Sequence, residues 1–372
     1  MVHKALMFVT WLVLFAVEAN AAVAAEPVMI ALSENGAEPQ QPQAAVAGPQ
    51  EVYVAFGAGK TVYCTASHDG GQRFDKLVPV ATLSSLALGS RRGPRIAATG
   101  DTVAITAIGE GGTLLAWRSE NHGRTWQGPV TVNDVPKAAR EGLHAMAAGP
   151  KGELYCVWLD LRNDGMEVFG SGSRDGGNTW SKNQRIYQSP DDHVCECCHP
   201  SVTFDAQGKL YVMWRNWLGG NRDLYLTTST DGGRTFSKAE QLGQGHWRID
   251  HCPMDGGAVA AGRTGQVASV WRREKAIFAT LPGQKQEVRL GSGEQPWIAV
   301  NPQGVWMSWI SKDGGELFLQ RPQHTRPETM AQHANDPVLA APLAGNGPVV
   351  LVWEEGRRQN KRIRVQVVSA KS

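Results

Sequence analysis

Four copies of one short pattern constrain this chain more than any other feature. They are Ser67-His68-Asp69-Gly70-Gly71-Gln72-Arg73-Phe74, Ser119-Glu120-Asn121-His122-Gly123-Arg124-Thr125-Trp126, Ser173-Arg174-Asp175-Gly176-Gly177-Asn178-Thr179-Trp180 and Ser229-Thr230-Asp231-Gly232-Gly233-Arg234-Thr235-Phe236. The shared template is Ser-x-Asp/Asn-x-Gly-x-Thr/Arg-Trp/Phe, and successive copies start 52, 54 and 56 residues apart. A fixed period of this size predicts a repeat architecture. Each copy reads as a tight turn. Ser and Asp oxygens accept nearby backbone N–H groups, Gly supplies positive φ, and the aromatic packs the hairpin onto a core.

Between the turns lie short, near-continuous apolar strands. Seven end in a bulky residue: Phe56, Ile108, Trp158, Trp214, Trp271, Trp309 and Trp353. A further strand precedes each, several opened by Pro, as at Pro94, Pro200, Pro296 and Pro337. Strands of this kind are expected in sheets covered on both faces. Seven units are counted. Val28–Leu32 is expected to supply a fourth strand to the last unit and so close the ring, which would bury both sheet edges. Ser311-Lys312-Asp313-Gly314-Gly315 looks like a fifth copy of the turn, but it directly follows the Trp309 strand and reads as an ordinary hairpin. The Pro-, Gln- and Ala-rich stretch 35–50 is expected to be irregular.

The first 25 residues read as a secretory signal peptide. Lys4 precedes an apolar run over 5–17, and small residues follow through Ala25, with cleavage expected after Ala24 or Ala25. That run is too short to span a bilayer, and no later segment is apolar long enough. With no cysteine before Cys64, no N-terminal lipid anchor is expected. Residues 26–372 are then one exported domain, periplasmic or secreted, and a monomer. A formal charge of +2 gives no electrostatic case for nucleic acid. The 42 Gly and 13 Trp suit a turn-rich all-β chain.

The four turns resemble the Asp boxes of the sialidase-like (BNR-repeat) β-propellers. With the strand pattern, the resemblance spans nearly all of the exported part. It implies one all-β propeller, of seven blades by the strand count or six by the count usual in sialidases. Ser67, Asp69, Gly71, Ser119, Asn121, Gly123, Ser173, Asp175, Gly177, Ser229, Asp231 and Gly233 are its structural turn residues. It also implies that the turns face away from the functional end. A Cys-x-Cys-Cys loop followed by an Asp-His-Cys-Pro loop is similar to a subgroup of exported bacterial sialidase-like proteins.

Those two loops are the departure from the repeat. The first holds Cys195, Cys197, Cys198 and His199, the second Asp250, His251, Cys252, Met254 and Asp255. Both fall between the outer strand of one unit and the inner strand of the next, on the face opposite the turns. His144 and His333 occupy similar places. Disulfides in an oxidising compartment are one reading. A metal site is another, with copper favoured for a thiolate, imidazole and thioether set and zinc for Cys/His alone. Cys195-x-x-Cys198-His199 also matches the c-type haem attachment pattern. Cys64 and Cys156 read as buried core thiols.

The sialidase catalytic set does not map onto the chain. Arg95-Ile96 resembles an early family motif but is followed by Ala97 where Pro is expected. Tyr53, Tyr155 and Tyr211 repeat at one strand position, which points to packing, and Tyr63, Tyr187 and Tyr225 are no better placed. Asp250, Asp255 and Arg215 remain weak catalytic candidates, with Asp160, Asp164, Glu274, Arg162 and Arg272 as further loop charges. Two functions stay open. One is a non-hydrolytic propeller binding a metal, small molecule, glycan or periplasmic protein. The other is a sialidase-type exo-glycosidase acting on acidic sugars.

Overall fold

The computed structural model describes residues 26–369 except 35, 264, 344 and 358–359; the expected signal peptide lies outside them. The chain is almost wholly β. It opens with β1 (Val28–Leu32). β2 (Pro39–Val46), β3 (Val52–Ala58), β4 (Thr61–Ser67) and β5 (Val78–Thr82) form the first four-stranded sheet. The second has β6 (Arg95–Thr99), β7 (Thr102–Ile108), β8 (Leu114–Ser119) and β9 (Gln127–Thr131). The third has β10 (His144–Ala148), β11 (Leu154–Asp160), β12 (Glu167–Ser173) and β13 (Gln184–Tyr187). β14 (Ser201–Phe204), β15 (Leu210–Arg215), β16 (Leu224–Ser229) and β17 (Glu240–Gln241) make the fourth. β18 (Ala258–Ala261), β19 (Val267–Arg273), β20 (Ala276–Thr280) and β21 (Glu287–Ser292) make the fifth. The remaining strands are β22 (Glu294–Asn301), β23 (Gly304–Ile310), β24 (Gly315–Gln320), β25 (Glu328–Ala340), β26 (Val349–Glu355) and β27 (Arg362–Val368).

These last six join β1 in a seven-stranded sheet, ordered β1-β27-β26-β25-β24-β23-β22. β25 carries two partners in succession. Its first half pairs with β24 through Thr329 and Ala331, and its second half with β26 through Val338 to Ala340. β1 runs antiparallel to β27, Val28 opposite Val365 and Leu32 opposite Arg362, as the strand count predicts. The innermost strands touch in a closed circuit: β2, β6, β10, β14, β18, β22, β25 and back to β2. All strand pairing is antiparallel, so successive connections alternate between the two ends of every sheet.

The bulky strand ends fill the space between neighbouring sheets. Phe56, Ile108, Trp158, Trp214, Trp271, Trp309 and Trp353 are 0–2% exposed. Burying each side chain contributes roughly 1.5–3 kcal/mol, which explains why both faces of these strands are apolar.

Each repeated turn is closed by its serine. Ser67 Oγ accepts the Gly71 N–H at 2.8 Å and donates to Asp69 Oδ1 at 2.9 Å, and Asp69 Oδ1 accepts the Gln72 and Arg73 N–H groups. The same serine-to-glycine bond recurs at Ser119, Ser173 and Ser229. Gly233 shows why no side chain is tolerated there. Its φ is +84°, and a Cβ would sit 2.0 Å from Tyr155 Cε2. Ser311–Gly315 is indeed a plain hairpin, joining β23 to β24.

One expectation fails. The stretch read as irregular contains β2, the inner strand of the first sheet. Inner strands of this ring line a narrow channel where small and polar residues fit, so β2 lacks an apolar pattern. A register shift between Gln40 and Gln43 absorbs Pro42.

Candidate functional site

The four serine turns join the third strand of a sheet to its fourth. Antiparallel alternation therefore puts the connection from a fourth strand to the next inner strand at the opposite end. The two cysteine-bearing loops, between β13 and β14 and between β17 and β18, are such connections.

The first loop is pinned by its backbone. Val194 N donates to Met166 O at 2.9 Å and Cys195 N to Arg215 O at 3.0 Å. Arg215, on β15, spends its guanidinium on carbonyls: Nη1 on Arg222 O, Nε and Nη2 on Asp255 O, and Nη2 also on Arg272 O. It lies 5.0 Å over the Trp247 ring. Arg215 is therefore a buried clamp between the two loops rather than a group free to meet a substrate. Asp223 fixes the second loop, accepting from Trp247 N at 2.9 Å and pairing with His246 Nδ1 at 2.6 Å.

The clamp gathers three sulfurs. Cys195 Sγ lies 3.7 Å from Cys197 Sγ and 3.5 Å from Cys198 Sγ, and the last two are 4.0 Å apart. All three are buried, and Met254 packs against them. Arg222 Nη1 reaches Cys195 Sγ at 3.0 Å, its guanidinium held 4.4 Å over Trp217. Contacts from the Cys197 thiol, then the Cys198 thiol, hold the Cys195 thiol well below its ordinary pKa, with Arg215 and Arg222 adding to the effect. The Cys197 thiol is pushed up to about 12, chiefly by its hydrogen bond to Cys195; the nearby Cys252 thiol adds a smaller contribution. Burial, above all, pushes Cys198 well up.

The other members of the expected cluster stand apart. His199 is buried but turns to the channel, stacked on Trp297 at 6.1 Å, with both ring nitrogens lacking a hydrogen-bond partner. Burial, then Arg91 and Arg95, hold its pKa well below the ordinary value. His251 and Asp250 are exposed and face each other at 3.3 Å. Cys252 is exposed, and all six cysteines are free. The imidazoles thus drop out of the sulfur cluster. A haem attached through Cys195 and Cys198 would need both thiols reachable from outside, whereas both are buried. Cys64 and Cys156 are buried core thiols as expected, and burial pushes Cys156 up to about 12.

The remaining candidates have structural partners. Asp160 accepts Trp158 Nε1 and holds Arg162, and Arg272 pairs with Glu294. Asp164 and Glu274 are exposed. Arg95 donates to four backbone carbonyls, His144 O among them, and His144 Nε2 lies 3.1 Å from Thr106 Oγ1. His333 is exposed. The hydroxyls of Tyr155 and Tyr211 meet Gly233 O and Asp205, so both rings serve packing.

Sequence reasoning missed a polar cavity of about 320 Å³ at the mouth of the channel, beside the sulfurs. Gln41, Arg91, Met254, Asp255, Asp336 and Glu354 are among the residues lining it. The Gln41 side-chain amide donates to Asp336 at 2.6 Å and reaches Glu354 at 3.5 Å. Asp255 Oδ2 accepts Gln295 N at 2.7 Å, while its Oδ1 is buried without a partner. Six non-glycine residues here have positive φ: Gln41, Ser90, Arg91, Met254, Gln295 and Asp336. Three of them directly precede a proline of an inner strand, Pro42, Pro296 or Pro337. A polar residue before those prolines is the signal that could have found the cavity.

Residues 97–265 match the BNR repeat-like domain family. No curated protein matches the sequence. Among solved structures, the chain is similar to a protein of unknown function from Dyadobacter fermentans, at 14% identity and TM-score 0.55 over 93% of this chain and 98% of that one. It is similar to an alpha-L-arabinanase of Penicillium chrysogenum complexed with arabinobiose, at 14% identity and TM-score 0.53 over 94% and 99%. It is also similar to YCF48 bound to a D1 peptide, at 12% identity and TM-score 0.55 over 95% and 98%. At these identities the likeness speaks for the fold. No helix among the described residues is long and apolar enough to cross a membrane.

Proposed function

We propose that this sialidase-like β-propeller with BNR-type repeats is an exported, non-hydrolytic protein that holds a soft metal ion, copper(I), at Cys195, Cys197 and Cys198. The observation that carries the reading is the sulfur triangle. A point equidistant from the three sulfurs in their plane lies about 2.2 Å from each, close to a metal–thiolate bond of about 2.3 Å for zinc. Three thiolates and a neighbouring thioether select a soft ion. A disulfide would join two of the sulfurs and strand the third, buried beside a guanidinium. The exposed Cys252 is placed to hand an ion inward.

The reading also takes the seven-stranded sheet as two blades sharing β25, seven blades in all, with the serine turns as Asp boxes on the far face. The double pairing of β25 and the circuit of inner strands support that count. Export rests on the leader pattern of the sequence.

Titrating the reduced chain with copper(I) against a competing chelator tests the proposal. One ion per chain is expected, with a thiolate charge-transfer band lost in Cys195→Ser and Cys198→Ser. A chain isolated from the periplasm with a disulfide among these cysteines, and taking up no copper after reduction, would overturn it.

One observation favours a second reading, glycoside hydrolysis. Asp336 and Glu354 share the Gln41 amide at the cavity mouth, and the arabinanase carries a sugar on this fold. Sugar release from a glycoside panel, abolished by Asp336→Asn or Asp255→Asn, would put this reading first.

A further inference from the structure

On the face opposite the cysteines, two of the repeated turns carry histidines that the turn itself does not require. His68 sits inside the first turn and His122 inside the second. His122 occupies the position that is Gly70, Gly176 and Gly232 in the other three copies, where φ is +76°, +66° and +78°. His122 adopts the same backbone, at φ +59°. A side chain there costs of order 1 kcal/mol against glycine, and strain of this kind, once observed, points to a function for the side chain.

The His122 side chain turns toward Glu51. Glu51 Oε2 is 2.8 Å from His68 Nδ1 and 3.5 Å from His122 Nδ1. The three ligand atoms all lie within 4.8 Å of one another, and each residue is partly buried. Tyr53 Oη closes the group, 2.9 Å from His122 Nδ1 and 3.2 Å from Glu51 Oε2. The outward nitrogens meet carboxylates. Asp75 Oδ2 lies 3.2 Å from His68 Nε2, and Asp101 Oδ1 lies 3.6 Å from His122 Nε2. Carboxylates on the far nitrogen orient metal-binding imidazoles and raise their basicity.

We propose that Glu51 Oε2, His68 Nδ1 and His122 Nδ1 form a second metal site, for a zinc-class dication. Two imidazoles and one carboxylate are a borderline-hard set, suited to zinc and distinct from the all-sulfur cluster. Glu51 and His68 lie in turns flanking strands of the first sheet, Asp101 and His122 in turns flanking strands of the second, so the ion ties two neighbouring sheets together. The first turn is held in place by the Gly70 N–H on Gln50 O at 2.9 Å, and the second by the Gly123 N–H on Ser119 Oγ. Three protein ligands leave a fourth position for water or for the Tyr53 hydroxyl.

The test is titration of the full chain with zinc, then with cobalt as a spectroscopic reporter. His122→Gly is the decisive variant, because it restores the backbone preference of the other turns and so favours folding. In a Cys195→Ser, Cys198→Ser background, which removes the sulfur site, the chain is expected to bind one cobalt ion with d–d bands and no thiolate charge transfer, and to gain thermal stability with zinc. His122→Gly in that background should keep or raise the metal-free melting temperature yet lose both responses. Asp75→Asn should weaken zinc by about 10–100-fold. Unchanged zinc affinity in His122→Gly, or no cobalt d–d bands in the background without it, would sink the site.

Discussion

Ser229 illustrates how one hydroxyl holds a turn. Its Oγ accepts the buried Gly233 N–H at 2.9 Å and donates to Asp231 Oδ1 at 2.8 Å. Ser229→Ala leaves that N–H without a partner, and chemical denaturation should show a loss of about 1–3 kcal/mol. Asp231 behaves differently. Hydrogen bonds from Thr235, side chain first, hold its carboxyl below the usual range. A lowered folded-state pKa stabilises above the unfolded value and is lost as pH falls through the folded one. The second turn already works with Asn121, whose Nδ2 donates to Thr125 Oγ1 at 2.8 Å. Asp231→Asn should thus change neutral-pH stability little and remove part of the acid sensitivity below about pH 4. A large loss at neutral pH would show that the charge, not the hydrogen-bond geometry, holds the turn.

Two strands decide the architecture. β1 pairs only with β27 and comes from the other end of the described chain. Deleting residues 28–32 would expose the β27 edge, an open template for pairing. The expected outcome is a lower melting temperature together with concentration-dependent association in sedimentation. A truncated chain that stays monomeric and equally stable would show that β1 is dispensable. β25 is the second such strand, one continuous run that leaves β24 and joins β26. The sequence places Pro337 at the head of an inner strand, and in the structure Val338 to Ala340 of β25 pair with β26. What precedes it, 328–334, has the mixed burial of an outer strand and carried no apolar signature. β2 was illegible for a different reason, since an inner strand facing a channel need not be apolar.

At the scale of the whole molecule, the ring closes where the first inner strand meets the last sheet. Gln41 N donates to Glu354 Oε1 at 2.7 Å, and Lys361 Nζ pairs with Glu354 Oε2 at 3.1 Å. Burial, then the neighbouring Asp336, raise the Glu354 pKa from 4.5 to about 7, against the pull of Lys361. A raised folded-state pKa favours the protonated fold. The seam is therefore most comfortable at low pH and loses stability as pH climbs from about 4.5 through 7. Melting temperatures measured from pH 5 to 8 should fall, and Glu354→Gln should flatten that slope. An identical slope in the variant would remove Glu354 from the account.

The sequence by itself determined the repeat, the strand-and-turn alphabet and the closing role of Val28–Leu32. Those are local or periodic properties: a serine reaches a glycine N–H four residues on, and a tryptophan at a strand end needs a neighbouring sheet. It also put four cysteines on one face, because antiparallel strands alternate their ends. Only the tertiary structure decided which of those groups meet. Cys195, Cys197 and Cys198 converge within one loop whose Cys195 N is pinned to Arg215 O, while His199 stacks on Trp297 and His251 stays exposed. Gln41, Asp336 and Glu354 meet across some 300 residues of chain. Glu51, His68 and His122 meet across two sheets. Such encounters depend on ring closure and sheet packing, which no window of sequence contains.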